Sequence, residues 1–103
     1  MARDVDLMRL ALLELKRLQR SPPEGFLLPL DDIAHRLERP RSELVEALEL
    51  LRELDFIEAP GAYFNGAWIF RKLTKRGDEL AELILDERDW GRVKEAYADL
   101  LER

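Results

Sequence analysis

Apolar residues recur at helical spacing over residues 4–20 and predict a first helix. They cover more than one stripe of that helix, so we expect two of its faces to be buried. Residues 21–25 contain two prolines and a glycine, which end the helix because proline lacks an amide N–H and restricts the residue before it. Residues 26–28 then form a short predicted strand before Pro29.

The next segment has the pattern of a helix-turn-helix at about residues 30–54. Its first helix, over residues 30–37, is short, and Asp31 or Asp32 is suited to cap its start. Its second helix covers about residues 41–54 and repeats leucine at a spacing that faces inward: Leu44, Leu48, Leu51 and Leu54.

Two apolar segments at residues 56–60 and 67–73 predict a β-hairpin, because the glycines and the asparagine between them favour left-handed turns. This hairpin, at about residues 56–73, is the predicted wing. Two further helices follow at about residues 75–102, the first capped by the Thr74 hydroxyl, with Gly77 tolerated near its start at some cost. The predicted fold is a single domain over residues 1–103, mainly α with a small β-hairpin (α+β): a winged helix-turn-helix with an additional C-terminal helix.

Composition narrows the range of functions. Of 103 residues, 47% are hydrophobic and 38% are charged, which is typical of one small soluble domain. The chain has no cysteine and a single histidine, His35, which excludes thiolate chemistry and most catalytic triads. We therefore expect no enzyme activity, no metal and no small-molecule cofactor. No apolar run approaches the roughly 20 residues of a membrane span, so the predicted location is the cytoplasm.

The second helix of the helix-turn-helix has an acidic outer face. Residues 38–58 contain seven acidic and three basic residues, in a chain of net charge −5. Carboxylates repel phosphates, so we do not expect this face to insert deeply into a major groove. A solvated helix face with charge pairs such as Glu49 and Arg52 is an alternative explanation. If the leucines point inward, the outer face consists of Ser42, Glu43, Val45, Glu46, Glu49 and Leu50.

Candidate phosphate-binding residues lie in the wing and at the helix-turn-helix corner. No acid occurs between Ala59 and Gly77, and a basic, aromatic wing of this kind is suited to contact a DNA backbone or a minor groove. The alternative is that the aromatics Trp68 and Phe70 are packing residues of the hairpin. The candidates are Arg71, Lys72, Lys75 and Arg76 in the wing, and Arg39, Arg41 and Ser42 at the corner.

The sequence also fits a protein-interaction module. Val45 and Leu50 among glutamates would offer a partner protein an apolar and acidic surface. A homodimer is predicted from a helix-pairing seam in the last helix, joined by a surplus apolar face of the first helix. In the alternative, the last helix folds back on its own core. The seam residues are Trp90, Val93, Tyr97 and Leu100, and those of the first helix are Met8, Leu12 and Leu15.

Both ends of the chain carry short motifs. The first matches at Arg3, Asp4, Asp6, Leu7 and Arg9, and the second at Leu73, Thr74, Gly77, Asp86, Glu87, Trp90, Val93 and Lys94. In these motifs the chain resembles an uncharacterised family of short bacterial and prophage winged-helix proteins. Lys75 and Arg76 depart from the pattern, because the family tends to have Trp-Glu there. The resemblance implies a winged-helix fold and a phage or prophage setting, and no established activity.

These observations predict a small non-enzymatic protein that binds double-stranded DNA or is associated with transcription, and that contacts the DNA backbone through a basic wing. The alternative is a protein-protein interaction module that uses the acidic face of residues 42–50 and binds no DNA.

Overall fold

The chain runs through a helix, a strand, two helices, a hairpin and two further helices, in the predicted order. The computed structural model describes residues 5–59, 61–62 and 68–96, and these form five helices and five short strands. The helices are α1 (Val5–Leu18), α2 (Leu30–Leu37), α3 (Arg41–Glu53), α4 (Lys75–Leu83) and α5 (Glu87–Ala96). The strands are β1 (Phe26–Leu27), β2 (Ile57–Glu58), β3 (Gly61–Ala62), β4 (Trp68–Phe70) and β5 (Lys72–Leu73). This α+β winged helix-turn-helix with an additional C-terminal helix confirms the predicted fold.

α1 is enclosed by its neighbours. It contacts α2, α3, α4 and β5, and both faces marked by the apolar pattern are internal. Met8, Leu12 and Leu15 are at most 1% exposed. The prediction that these three residues form a surplus face for a second copy is therefore wrong, because the surrounding helices and β5 already cover them.

A tight turn joins α2 to α3. Glu38 adopts a left-handed conformation (φ 57°), and its N–H donates to the His35 carbonyl at 3.1 Å, which closes the end of α2. α2 begins with Pro29 as its N-cap, so the prediction that Asp31 or Asp32 caps this helix is wrong. Both carboxylates lie in the first turn instead, near the positive end of the helix dipole.

The wing is one hairpin paired in two segments. β2 pairs with β5, and β3 pairs with β4; both pairings are antiparallel. The register is continuous between the two segments, from Ile57 opposite Leu73 to Ala62 opposite Trp68. β1 pairs with the other edge of β4, which gives a three-stranded sheet in the order β1-β4-β3. Trp68 and Phe70 are fully buried, and Phe26 meets Phe70 edge to face with 5.8 Å between ring centroids. The aromatic side chains of β4 are thus packing residues.

The start of α4 packs tightly against the backbone that follows α3. The Thr74 hydroxyl accepts a hydrogen bond from the Gly77 N–H at 3.0 Å, which confirms the predicted cap. The same hydroxyl donates to the Asp55 carbonyl at 2.6 Å. Gly77 is buried, and a β-carbon there would lie 1.7 Å from the Phe56 carbonyl oxygen. The sequence predicted only that a glycine is tolerated here, whereas the packing requires one.

α5 folds back on the core of its own chain. Trp90 and Val93 are 8% and 6% exposed, so the prediction that they form a seam between two copies is wrong. Trp90 Nε1 donates to Asp6 Oδ1 at 2.8 Å, and Lys94 Nζ donates to Asp6 Oδ2 at 3.0 Å. These bonds attach α5 to the start of α1 and turn its apolar side inward. Two residues of the predicted seam lie outside the described part of the chain: Tyr97 and Leu100.

Arg9 stabilises the junction between α4 and α5. Its Nε donates to the Ile84 carbonyl at 3.0 Å, and its guanidinium carbon lies 5.9 Å from the centroid of the Trp90 ring. Ile84 is the C-cap of α4, so Arg9 places a positive charge at the negative end of that helix. Arg9 and Trp90 both belong to the motifs of the family resemblance, and here they have a structural role. Membership of that family stays a prediction.

The close approach at Gly77 leads to a stability prediction. We expect Gly77→Ala to lower the free energy of unfolding by at least about 2 kcal/mol, because the added methyl group meets a backbone carbonyl that has no alternative rotamer. Gly91→Ala is the matched control, since a β-carbon at Gly91 of α5 has nothing within 4 Å. That control should gain about 0.5–1 kcal/mol from helix propensity. Urea unfolding followed by circular dichroism measures both, and equal effects in the two variants would contradict the packing argument.

Asp6 leads to a pH prediction. The hydrogen bond from Trp90, and then that from Lys94, hold the pKa of Asp6 below its ordinary value of 3.8. A carboxyl group with a lowered folded-state pKa stabilises the fold above its unfolded pKa, and this stability is lost as the pH falls through the folded value. We expect Asp6→Asn to lower the free energy of unfolding at pH 7 by about 0.5 kcal/mol, a small value because Asp6 is exposed.

The difference between wild type and Asp6→Asn should shrink as the pH falls below the ordinary value of 3.8, and it should disappear below the lowered folded-state pKa, where the aspartate is protonated in both states. Urea titrations between about pH 2 and pH 7 measure it. Glu95→Gln, an exposed acid on α5, is the control for the change in net charge and should follow the wild type throughout. A constant gap between wild type and Asp6→Asn at all pH values would show that the charge of Asp6 is not the cause.

Candidate nucleic-acid interface

The wing cations lie at the root of the hairpin, beside the helices. The register places Lys72 opposite Glu58, next to the Ile57–Leu73 pair at the end of the hairpin that adjoins α3 and α4. Arg71 lies beside Lys72, and the sequence between Glu58 and Arg71 contains no charged residue. The hairpin is therefore basic at its root and uncharged along the rest of its length.

One carboxylate faces both of these cations. Glu58 Oε1 accepts a hydrogen bond from Arg71 Nη1, and Glu58 Oε2 lies 3.9 Å from Lys72 Nζ. All three side chains remain well exposed. The acid-free stretch from Ala59 to Gly77 begins directly after this glutamate, so the sequence analysis did not predict its pairing with the wing cations. The signal that would have found it is the strand register, which brings Glu58 across the ladder.

Lys75 and Arg76 occupy the first turn of α4, directly after the hairpin. Both are exposed, and neither forms an ion pair with a residue that the structure describes. The Arg76 guanidinium carbon lies 4.9 Å from the centroid of the Phe56 ring, a cation–π contact that orients the side chain. With Arg71 and Lys72, these two residues form what we call the root cluster: Arg71, Lys72, Lys75 and Arg76.

The second group of candidates lies at the corner between α2 and α3. Arg39 Nη1 lies 3.8 Å from Glu43 Oε2, and Arg41 Nη1 lies 3.4 Å from Asp31 Oδ1. Ser42 is exposed beside them in the first turn of α3. We call Arg39, Arg41 and Ser42 the corner cluster. Its cations are thus shared with acids of the same chain.

α3 separates the two clusters. The corner cluster lies at its start, and the root cluster follows its end through β2 and β5. A helix rises 1.5 Å per residue, so the length of α3 corresponds to roughly 20 Å. The structure therefore does not gather the predicted cations into one patch, but places them at the two ends of the helix that a winged helix presents to DNA.

The outer face of α3 between the clusters is acidic, as predicted. Its exposed stripe contains Glu46 and Glu53, and Glu49 Oε2 accepts a hydrogen bond from Arg52 Nη2 at 2.9 Å, which confirms the predicted pair. The prediction that Leu50 is exposed is wrong: it is 4% exposed, because α3 is covered by α1, α2 and β2 and its buried side is broader than the leucine repeat indicates.

Val45 is half-buried against the core, so the apolar part of the predicted interaction surface is reduced further. The surface that remains on α3 is charged. If Leu50 were exposed, Leu50→Glu would test partner binding. Because Leu50 is buried, this substitution instead buries a carboxylate and destabilises the fold.

Other kinds of site are poorly developed in the described part of the chain. A cleft of about 350 Å³, open to solvent, lies between the end of β1 and the start of α2, lined by residues 27–32 and Arg41. No group of three or more acidic or histidine side chains among the described residues is arranged to hold a metal ion. No described helix has the length and apolar character needed to cross a membrane.

Two solved structures resemble this chain in fold. Both are single-residue mutants of Lactococcus lactis ZitR, with TM-scores of 0.56 and 0.55 and 17% sequence identity in each case. The likeness covers 91% of this chain and 60% and 57% of the ZitR chains, so the chain spans less than two thirds of their length. At this identity the likeness shows the fold alone, an α+β winged helix. The sequence matches no protein-family model and no curated protein.

Proposed function

We propose that this protein is a non-enzymatic winged helix that binds double-stranded DNA and is associated with transcription. The observation that carries the proposal is the placement of exposed or half-exposed cations at both ends of α3, in the root cluster and the corner cluster. Phosphate contacts dominate the affinity of proteins for DNA, and they position a protein on the duplex without reading its sequence. The arrangement supports backbone binding by the two clusters.

The acidic stripe limits how α3 approaches the duplex. α3 is roughly 20 Å long and has one cluster at its start and the other beyond its end, so the two clusters are placed to contact phosphates on either side of a major groove about 12 Å wide. The carboxylates of Glu46 and Glu53 then face the groove between two phosphate backbones, which opposes deep insertion. We therefore propose a shallow, phosphate-dominated contact with weak base discrimination.

A homodimer and a phage or prophage setting are the finer parts of the proposal, as is a cytoplasmic location. A symmetric dimer would present two wings at a fixed separation, as winged-helix regulators do at paired half-sites. The α1 face and the Trp90 side of α5 are internal, so they do not supply the contact. Leu83 and Leu85 near the α4–α5 junction are 50% and 55% exposed and are apolar surface suited to it.

The test of DNA binding is fluorescence anisotropy with labelled duplexes from around the protein's own gene, at about 50 and about 200 mM salt. We expect the wild type to bind, and Arg71→Ala with Lys72→Ala to weaken binding at the lower salt by about tenfold and to flatten the salt dependence. Arg88→Ala with Arg92→Ala removes two exposed cations of α5 and is the control for net charge. If the wild type does not bind DNA at the lower salt, the proposal is wrong. If both double variants lose the same affinity, the root cluster is not a specific part of the DNA-binding surface.

The second candidate function is a protein-protein interaction through the acidic face of α3, without DNA binding. The observation that favours it is the exposed stripe of Ser42, Glu46 and Glu53, with the half-exposed Glu49 beside it. This stripe has the wrong charge for a nucleic acid and the right charge for a basic partner. Burial of Leu50 makes the surface polar, so such a partner would be held by charge more than by apolar contact.

A charge reversal on α3 separates the two functions. If α3 faces DNA, Glu46→Lys with Glu53→Lys should tighten binding several-fold at about 50 mM salt, because two repulsive groups become attractive. If α3 faces away from DNA, the variant should bind no better than Glu87→Lys with Glu95→Lys, which makes the same change in net charge on α5, outside both clusters. The same anisotropy titration measures both variants. Matched affinities would show that α3 does not face DNA, whereas the absence of DNA binding by the wild type and both variants would favour the second function.

A further inference from the structure

Glu58 is held beside the wing cations by backbone pairing as well as by its carboxylate. Its carbonyl oxygen accepts a hydrogen bond from the Arg71 N–H at 3.1 Å, and Lys72 is its partner across the ladder. The carboxylate reaches both side chains, through the hydrogen bond from Arg71 Nη1 and the 3.9 Å approach to Lys72 Nζ. The register itself therefore imposes the proximity of this acid to two of the four cations in the root cluster.

The hairpin root is held together without this carboxylate. The Leu73 N–H donates to Gln19 Oε1 at 3.1 Å, and the Thr74 N–H donates to the Phe56 carbonyl at 3.1 Å. An ion pair as exposed as that of Glu58 contributes little to folding. What the carboxylate does change is the charge that an approaching anion meets at the root of the wing.

We propose that Glu58 is an internal competitor for the phosphates that Arg71 and Lys72 would bind, and that it sets the affinity of the wing for DNA. The inference rests on the proposed function. A phosphate and a carboxylate use the same guanidinium and ammonium donors, so a phosphate has to displace Glu58 before it pairs with them. Binding then exchanges one anion for another at these two cations, which lowers both the affinity and the salt dependence.

The competitor acts on only half of the root cluster. Lys75 and Arg76 have no ion-pair partner among the described residues, so a phosphate reaches them without displacing an acid. A single phosphate group therefore binds at Lys75 and Arg76 and leaves Glu58 in place. A duplex brings several phosphates to the hairpin root together, and the combined attraction displaces the carboxylate. Glu58 thus lowers the affinity for a duplex and leaves the affinity for an isolated phosphate unchanged.

The test compares the wild type with Glu58→Gln by fluorescence anisotropy on a labelled duplex from around the protein's own gene, at about 50 and about 200 mM salt. We expect Glu58→Gln to bind about threefold to tenfold more tightly at the lower salt and to show a steeper salt dependence. Glu24→Gln is the matched control, because Glu24 is also an exposed carboxylate paired with an arginine, Arg20, outside the two clusters. The control should bind like the wild type.

A second comparison connects the gain to the cations. In a protein that carries Arg71→Gln and Lys72→Gln, adding Glu58→Gln should not raise the affinity for the duplex, because no guanidinium or ammonium group remains for the substitution to release. Thermal unfolding followed by circular dichroism verifies that every variant is folded over the temperature range of the titrations.

The outcomes separate the inference from the proposed function. Wild-type binding with no gain in Glu58→Gln, or with an equal gain in Glu24→Gln, overturns the inference and leaves DNA binding in place. A gain that persists without Arg71 and Lys72 also overturns it, because the carboxylate would then repel DNA directly. If the wild type does not bind at the lower salt, the proposed function is wrong and the inference falls with it.

Discussion

A helix that is apolar on two faces has to be covered on both, and the packing of α1 therefore dictates where the other elements lie. It is in direct contact with α2, α3, α4 and β5, and ion pairs form along its exposed side. Lys16 Nζ lies 2.7 Å from Asp78 and 2.8 Å from Glu82 of α4, and hydrogen bonds to these carboxylates raise the pKa of Lys16. Covering α1 in this way uses the apolar face of α3, and the apolar side of α5 packs into the same core, so neither face is available for a second copy.

Enclosure of the apolar faces leaves a charged surface on which most of the bases in the described part of the chain are paired with acids. Burial raises the pKa of Glu14, but the hydrogen bonds and charges of Arg17 and Arg36 outweigh this effect and lower it. The corner and root clusters follow the same pattern, since Asp31 and Glu58 each face a candidate phosphate-binding arginine. A count of bases along the sequence therefore overstates the charge that a phosphate meets. The relevant quantity is the number of cations that a phosphate reaches without displacing a carboxylate.

Much of the fold could be predicted because helical and hairpin patterns are local. The leucine repeat of α3, the Thr74 cap and the turn residues of the wing each depend on neighbours a few positions away. The errors concern burial and pairing, which depend on how many elements surround a residue. Helical spacing gives the direction of Leu50 but not the breadth of the covered side of α3. Likewise, Glu58 lies close to Lys72 only through the strand register, which the sequence did not determine.

If the protein binds DNA as proposed, the acidic outer face of α3 limits how sequence preference could arise. Base contacts in a major groove are made by the outer face of the recognition helix, and here that face carries Glu46 and Glu53. Under the proposed function, phosphate contacts at the two ends of α3 would fix the position of the protein but would carry no sequence information. Any preference then has to come from the shape of the DNA or from the spacing of two copies. Because Trp90 and Val93 are internal, pairing of copies requires a different surface, and Leu83 and Leu85 are exposed apolar side chains of the kind that such a contact needs.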